Sequence, residues 1–197
     1  MREYYDRRAP EYDDWYLGRG LFAGRDRPGW SDEVDELAVA IGGLPSGRTL
    51  DVACGTGFLT RHLHGDVVAL DQSARMLGEA SQIVPNAAFV QGDALALPFP
   101  DHSFDRVFTG HFYGHLAEPE RSAFLAEARR VARELVVVDA SRVHAEVAEE
   151  LSQRVLEDGS RWQVYKRWFD GPGLVGELGG GEVLFEGSWF VMVRASF

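Results

Sequence analysis

A glycine-bearing turn near position 55 is the segment whose residue types best suit a bound ligand. Residues 48–53 predict a short buried strand, and Gly55 and Gly57 stand in the turn after it. Glycine lets backbone approach a ligand closely at the carboxyl edge of a parallel sheet. Asp71 ends the next predicted strand, where a carboxylate can accept hydrogen bonds from both ribose hydroxyls of an adenosine-containing cofactor.

A dinucleotide-binding site shares these two features, and its third glycine separates the two interpretations. Counted from Gly55, the pattern Gly-x-Gly-x-x-Gly needs glycine at position 60, which is Thr60. Counted one pair earlier, it needs glycine at position 53, which is Ala53. The loop is therefore poorly suited to a pyrophosphate held at a helix start, whereas a cofactor without phosphates makes no such demand.

The elements that must position these residues alternate along the chain. Predicted strands are 48–53, 66–70, 87–91, 104–109 and 134–139, and predicted helices are 31–41, 58–64, 73–84 and 119–130. Strands without polar alternation, separated by helices, are typical of a parallel sheet covered on both faces. The alternation predicts a doubly wound α/β sheet.

The last third of the chain does not continue this alternation of strands and helices. Residues 143–156 predict an acidic helix, 161–169 an extended or irregular segment, and 174–178 a short helix. Residues 182–186 and 188–194 then predict two strands joined only at Gly187, which requires an antiparallel hairpin. The predicted fold is a single doubly wound, mostly parallel sheet with a C-terminal antiparallel hairpin and helices on both faces.

Composition narrows the class of protein. The chain has 197 residues, 31 acidic against 20 basic, and a formal net charge of −11, which disfavours a nucleic-acid partner. No apolar run reaches the roughly 18 residues that span a membrane, and the charged N-terminus has no signal-peptide pattern. A single cysteine offers neither a disulfide nor a metal cluster. We expect a soluble cytoplasmic protein, monomer or homodimer, with no metal and no membrane association.

Three linked motifs resemble those of the class I S-adenosylmethionine-dependent methyltransferases. Residues 51–57 resemble the first motif of that family and 67–71 the second, while 91–105, with Gln-Gly-Asp-Ala-Leu at their start, are similar to the third and fourth in its small-molecule branch. Residues 4–13 resemble the segment that folds over the cofactor there. One departure is Ala53, where many members have glycine. The resemblance implies a single methyltransferase domain over 1–197, with a Rossmann-like methyltransferase fold, a cofactor-binding core at 45–140 and an N-terminal lid at 1–30.

The resemblance also implies a site for S-adenosylmethionine, with S-adenosylhomocysteine as product. Asp71 would hold the ribose, Asp93 the adenine amino group, and Thr109 and Gly110 would lie beneath the reactive methyl. The full implied set is Tyr12, Asp51, Ala53, Cys54, Gly55, Gly57, Asp71, Gln72, Met76, Asp93, Ala94, Thr109 and Gly110.

Two histidines after the fourth predicted strand are candidates for a catalytic base. His111 and His115 stand where this family reaches its acceptor, and a pKa near neutrality would suit proton abstraction. Without a base, catalysis would rest on proximity alone. The expected function is methyl transfer to a small-molecule acceptor by in-line displacement. The alternatives are an NAD(P)-dependent oxidoreductase and a catalytically inactive S-adenosylmethionine-binding partner protein.

Overall fold

A seven-stranded sheet forms the centre of the molecule, in a computed structural model that describes residues 1–197. Its strands are β1 (Gly47–Val52), β2 (Gly65–Asp71), β3 (Ala88–Gln91), β4 (Phe104–Gly110), β5 (Ala132–Ala140), β8 (Glu182–Glu186) and β9 (Phe190–Ser196). Their spatial order is β3-β2-β1-β4-β5-β9-β8, with β1 to β5 parallel and β9 antiparallel to both β5 and β8. The predicted fold class, including the terminal hairpin, is confirmed.

Helices cover both faces of this sheet. They are α1 (Arg2–Arg8), α2 (Asp14–Leu17), α3 (Trp30–Gly42), α4 (Ala74–Ile83), α5 (Glu120–Val131) and α6 (Gly171–Leu178). Neighbouring residues of β4 show the two layers: Val107 packs in the core that holds Phe124 of α5, and Phe108 in the core that holds Leu37 of α3. No helix combines the length and the apolar composition that a membrane span requires.

Local chemistry explains where two helices begin. Ser73 caps α4 by accepting from the Met76 N–H at 3.1 Å, and Asp170 caps α6 by accepting from the Gly173 N–H at 2.7 Å. The predicted start of α3 at Ser31 is one residue late, since the helix begins at Trp30 after a left-handed Gly29.

The helix predicted at 58–64 is wrong. Only a single 3₁₀ turn, Thr60–His62, forms there. The Thr60 hydroxyl donates to the buried Asp51 carboxylate at 2.6 Å, and Leu63 is already extended as the chain turns into β2. Tertiary hydrogen bonding and the short distance to the next strand leave no room for a longer helix.

The acidic helix predicted at 143–156 is also wrong. Residues Glu149–Val155 form β6, which pairs antiparallel with β7 (Arg161–Arg167) in a separate two-stranded sheet. Leu156, just beyond β6, joins Tyr4 and Val164 in a small apolar cluster. Pairing with β7 and packing against the N-terminal residues outweigh the helix propensity of this segment.

Candidate functional site

The loop after β1 turns sharply because three of its residues adopt left-handed backbone conformations. Ala53 has φ +59°, Gly55 has φ +56° and Gly57 has φ +82°. Glycine adopts this conformation freely, whereas Ala53 carries a steric penalty there. The Cys54 N–H donates to the Leu70 carbonyl at 3.1 Å, which ties the loop to β2. The backbone conformation at position 53 explains why glycine suits it.

Asp71, at the end of β2, accepts backbone hydrogen bonds on both carboxylate oxygens. Gly55 N–H donates to Oδ2 at 3.0 Å and Ser73 N–H to Oδ1 at 2.8 Å. Burial raises the pKa of the Asp71 carboxyl, and these N–H donors oppose the rise. Each oxygen keeps a further lone pair, so the fixed carboxylate can still accept from two hydroxyl groups of a ligand.

Asp51 is buried behind the same loop and is held by one side chain. Its Oδ2 accepts from the Thr60 hydroxyl at 2.6 Å. Burial raises the pKa of the Asp51 carboxyl to about 7, with Thr60 opposing the rise and the charge of Asp71 adding to it. A carboxyl group with a pKa near 7 is half ionised at neutral pH. A neighbouring cation, such as the ammonium of an amino acid, readily shifts it to the charged form.

A cavity of about 340 Å³ opens beside this loop at the carboxyl edge of the sheet. Its size is in the range of small-molecule sites. Eleven of the predicted residues line it: Tyr12, Ala53, Gly55, Asp71, Gln72, Met76, Asp93, Ala94, Gly110, His111 and His115. Residues from five separate parts of the sequence therefore meet at one edge of the sheet, as the resemblance implies.

Four predicted residues lie elsewhere. Asp51 and Cys54 line a smaller adjoining recess that shares Tyr12, Ala53 and Gly110 with the cavity. Gly57 lines neither space and packs against α4, and Thr109 is fully buried with its hydroxyl donating to the Val52 carbonyl at 2.8 Å. Gly57 and Thr109 therefore support the loop and β4 without lining the cavity.

Several residues of the cavity wall were not singled out from the sequence, although the first two fall in the predicted lid: Met1, Tyr5, Leu70, Gly92, Leu95, Phe112, Leu116 and Glu120. Most are apolar, and apolar residues in a sequence give no sign of whether they face a core or a cavity. Gly92 did carry a signal, since it directly follows β3. A Cβ at that position would lie 2.9 Å from Leu70 Cδ1, so a larger residue would require the Leu70 side chain to shift.

The two histidines differ in their hydrogen bonding. His115 Nδ1 lies 2.7 Å from the Tyr165 carbonyl oxygen. Because a carbonyl only accepts, that nitrogen carries the proton and Nε2 is left with a free lone pair. His111, in a left-handed conformation (φ +53°), has a fully buried Nε2 with no partner.

The histidine pKa near neutrality that the sequence suggested is not what the structure shows. Burial lowers the pKa of both His111 and His115 to about 3, and the positive charge of Lys166 lowers both further, while the negative charge of Asp139 opposes the shift. Both rings are therefore neutral at physiological pH and can accept a hydrogen bond. As proton-abstracting bases they are weaker than an ordinary histidine.

A buried ion pair beside the histidines was not found from the sequence. Asp139, at the end of β5, accepts from Lys166 of β7 on Oδ1 and from the Gly114 N–H at 2.7 Å on Oδ2. His111 Nδ1 lies 3.9 Å from the same Oδ1. Two signals were present in the sequence: Asp139 directly follows the apolar run 135–138, and Lys166 is the only lysine of the chain.

The N-terminal residues 1–30 pack directly on the loop and on α4. Ser73 donates to Asp6 at 2.5 Å, Thr56 donates to Asp13, and a Cβ on Gly55 would lie 3.5 Å from the Tyr12 ring. This segment therefore forms one wall of the cavity, the position expected for a lid.

Known proteins support the interpretation of the motifs. Residues 49–135 match the model of a family described as a methyltransferase domain. The demethylmenaquinone methyltransferase of Renibacterium salmoninarum is 38% identical over 143 residues, which are 70% of this chain and 57% of the relative. That of Thermotoga maritima is 36% identical over 132 residues, 64% of this chain and 54% of the relative. The chain thus spans little more than half the length of these relatives.

A solved structure gives similarity over nearly the whole chain. A complex of DhpI with SAM and HEP superposes with a TM-score of 0.76 at 28% identity, covering 98% of this chain and 94% of that one. The strand order, the motifs at 51–57 and 67–71, and these matches all agree. The chain belongs to the class I S-adenosylmethionine-dependent methyltransferase family.

Proposed function

We propose that this protein transfers a methyl group from S-adenosylmethionine to a small-molecule acceptor. The observation that carries the proposal is the position of Asp71. Its carboxylate is fixed by two backbone N–H groups at one side of a cavity whose wall also includes His111 and His115. Such a cavity can hold an adenosine at the carboxylate and an acceptor at the histidines.

The residues present fit this cofactor. Asp71 offers acceptors for two ribose hydroxyls. Asp93 and Ala94 line the same cavity and would meet the adenine. The Asp51 carboxyl, whose pKa is about 7, is suited to pair with the ammonium group of the methionine part. The cofactor supplies a methyl on a sulfonium, and the task left to the protein is to align a nucleophile and exclude water.

The structure also bears on the oxidoreductase alternative. A dinucleotide's pyrophosphate is normally held at the N-terminus of the helix that follows the first strand. Here β1 is followed by a 3₁₀ turn, Thr60–His62, and not by an α-helix. The helix dipole that would attract a pyrophosphate at this loop is missing, which favours the cofactor without phosphates.

The acceptor class rests on the relatives. Two of them are named for demethylmenaquinone, a small molecule, and DhpI was solved with SAM bound. We infer a small-molecule acceptor for this chain. A monomeric or homodimeric state, a cytoplasmic location and the single-domain boundaries stay predictions.

Calorimetric titration with S-adenosylhomocysteine tests the cofactor assignment. Asp71→Ala removes two charge-assisted hydrogen bonds, each contributing roughly 1.5 to 3 kcal/mol at most, so affinity should fall by about 100-fold or more. Asp71→Asn, which keeps one acceptor oxygen, should lose less. Asp66→Ala is the matched control, because Asp66 is exposed at the other end of β2 and pairs only with Arg48.

Equal affinity in the Asp71 and Asp66 variants would contradict the ribose assignment. Binding of NADH, with none of S-adenosylhomocysteine, would favour the oxidoreductase instead. Binding without methyl-donor turnover across a broad set of small acceptors would favour the inactive partner protein.

A further inference from the structure

The chain segment that carries both cavity histidines, which we call the histidine turn (residues 111–116), lies directly against β7. His115 Nδ1 donates to the Tyr165 carbonyl oxygen at 2.7 Å. A Cβ on Gly114 would lie 2.6 Å from the Arg167 carbonyl oxygen, a backbone atom that cannot move aside as the end of a side chain can. The histidine turn therefore meets the backbone of β7 at two points.

Asp139 and Lys166 hold the middle of the histidine turn. The fully buried Asp139 carboxylate accepts from the Gly114 N–H at 2.7 Å on Oδ2 and from Lys166 on Oδ1. A Cβ on Gly114 would lie 2.9 Å from both Asp139 Oδ1 and Lys166 Nζ, so the pair is packed tightly against the turn. Burial raises the pKa of the Asp139 carboxyl, but the opposing effects, of which the charge of Lys166 is the largest, bring it below its ordinary value. The ionised carboxylate thus joins β5, β7 and the histidine turn at one point.

The contact with β7 decides which nitrogen of His115 faces the cavity with a lone pair. Because Nδ1 carries the proton that the Tyr165 carbonyl accepts, Nε2 has the lone pair. This Nε2 makes no hydrogen bond and, unlike Nε2 of His111, it is accessible. The cavity wall beside it includes apolar Phe112 and Leu116, and no lysine or arginine lines the cavity. The site is therefore suited to a neutral group that donates a hydrogen bond and not to an anion.

The weak basicity of His115 narrows this donor to a hydroxyl group. Burial lowers the pKa of the ring to about 3, so it does not remove a proton from a free alcohol or phenol. A hydroxyl proton becomes strongly acidic as the oxygen bonds to the methyl carbon, and a weak base can then accept it. A methylated amine holds its proton with a pKa near that of lysine, about 10, and would not release it to such a ring.

We propose that Asp139 and Lys166 are positioning residues for methyl transfer to a hydroxyl group, because they hold the histidine turn so that His115 Nε2 accepts the hydroxyl proton. The proposal rests on the proposed function for the reaction and adds the acceptor group. The hydroxyl oxygen forms the bond to the methyl carbon, and the electron pair of the broken carbon–sulfur bond stays on sulfur. The proton passes to Nε2 and from there to water.

Nitrogen-15 NMR of the histidine side chains tests the lone pair, with phenol and anisole as probes. Phenol carries a hydroxyl donor, and anisole has the same ring with that donor methylated. In protein saturated with S-adenosylhomocysteine, we expect phenol to move the His115 Nε2 resonance towards that of a hydrogen-bonded nitrogen, and anisole to leave it in place. Equal shifts with the two probes, or no shift with phenol, would overturn the proposal.

Lys166→Met tests the positioning role. Without the ammonium, Asp139 is no longer tied to β7, so the phenol-dependent shift of His115 Nε2 should be lost. Affinity for S-adenosylhomocysteine should stay within about twofold, because the pair does not contact the cofactor end of the cavity. Arg161→Met, an exposed position on the same strand, is the matched control and should keep the shift. A shift retained in Lys166→Met, or one lost together with cofactor affinity, would make the pair merely structural and overturn the proposal.

Gly114→Ala is a second variant, and it decides the question if Lys166→Met does not fold. It keeps both charges of the buried pair, while its methyl group pushes the histidine turn away from the Arg167 carbonyl. We expect loss of the phenol-dependent shift at unchanged affinity for S-adenosylhomocysteine. A retained shift would show that the turn needs no fixed contact with β7.

Calorimetry with S-adenosylhomocysteine separates failure of this proposal from failure of the proposed function. If the unmodified protein binds the nucleoside but His115 Nε2 does not respond to phenol, the positioning role fails while the proposed function stands. If the unmodified protein does not bind the nucleoside, the proposed function fails, and methyl transfer through the histidine turn fails with it.

Discussion

The two ends of the cavity satisfy their polar groups differently. At the cofactor end, both Asp71 oxygens are bonded to backbone N–H groups of the adjacent loop and helix start. At the end proposed for the acceptor, His111 Nε2 is buried without a partner.

The difference follows from how each end is assembled. The cofactor end comes from consecutive strand ends, so its backbone can organise a carboxylate before any ligand arrives. The acceptor end draws on the lid, the segment after β4, the end of β5 and the β6–β7 hairpin. The lone pair of His111 Nε2 is the group there that a ligand would have to satisfy. The four predictions below test this contrast, from the largest expected effect to the smallest.

Of the four predictions, removal of Nε2 of His115 should have the largest effect, and the quantity affected is turnover. His115→Asn can keep the donor to the Tyr165 carbonyl while deleting Nε2, whereas His115→Gln retains a polar atom near Nε2. If Nε2 accepts the acceptor's proton, kcat for the Asn variant should fall by about 10²-fold or more at unchanged affinity for S-adenosylhomocysteine. Because the pKa of this ring is about 3, the pH–rate profile should show no histidine limb near neutrality.

The same measurement on His111→Asn compares the two rings. Asparagine tolerates the left-handed backbone at position 111, so the variant should fold. Near-normal turnover in both Asn variants would mean that neither ring is a base, and that catalysis rests on positioning alone.

Breaking the buried ion pair should give the largest effect on stability. Lys166→Met leaves the fully buried Asp139 without its cation, and loss of one partner of such a pair costs about 3 to 5 kcal/mol. Urea unfolding measures the change. Arg161→Met, an exposed position on the same strand, should change the free energy of unfolding by less than about 0.5 kcal/mol.

A double variant isolates the uncompensated charge. Asp139→Asn combined with Lys166→Met should recover part of the stability lost in Lys166→Met alone, because no buried charge remains. An additive loss would show that Lys166 acts through packing and not through its charge.

Asp51 should make stability and ligand affinity depend on pH in opposite directions. Burial raises the pKa of its carboxyl to about 7 in the folded protein, above the value of about 4 expected for the unfolded chain. The folded state therefore holds the proton more tightly, and this contribution to stability, present below pH 4, is lost as pH rises to 7. Asp51→Asn should flatten that decline in urea unfolding across pH 5 to 8.

Ligand binding should show the reverse trend. If ionised Asp51 meets the ammonium of the methionine part, affinity for S-adenosylhomocysteine should rise as pH increases through 7 in the unmodified protein. 5′-Methylthioadenosine, which lacks the ammonium, should show no such rise. Identical pH dependence for the two nucleosides would remove Asp51 from the methionine site.

The smallest effect concerns the loop backbone. Ala53→Gly relieves a left-handed conformation that costs alanine about 1 to 2 kcal/mol, offset in part by the greater freedom of glycine in the unfolded chain. We expect the free energy of unfolding, measured in urea, to rise by up to about 1 kcal/mol.

Gly55→Val is a poor probe of cofactor space, because position 55 is left-handed as well and valine would strain the loop itself.

The sequence by itself determined the parts of this protein that depend on short-range patterns. Short segments followed by Gly55 and by Asp71 predicted two strands and a ligand loop at one edge of the sheet. Eleven of the fifteen residues chosen for the site line one cavity. Motifs of this kind are readable because a strand, its turn and the residue that ends it lie within a few positions of each other.

Only the tertiary structure decided what depends on long-range contacts. It turned the acidic segment before Leu156 into a strand paired with β7, and it replaced the helix after Gly57 by one 3₁₀ turn. It placed Lys166 on Asp139, and Arg8 on the Tyr4 hydroxyl. Burial also moved the histidine pKa away from neutrality, since desolvation depends on the atoms packed around a ring and not on its neighbours in sequence.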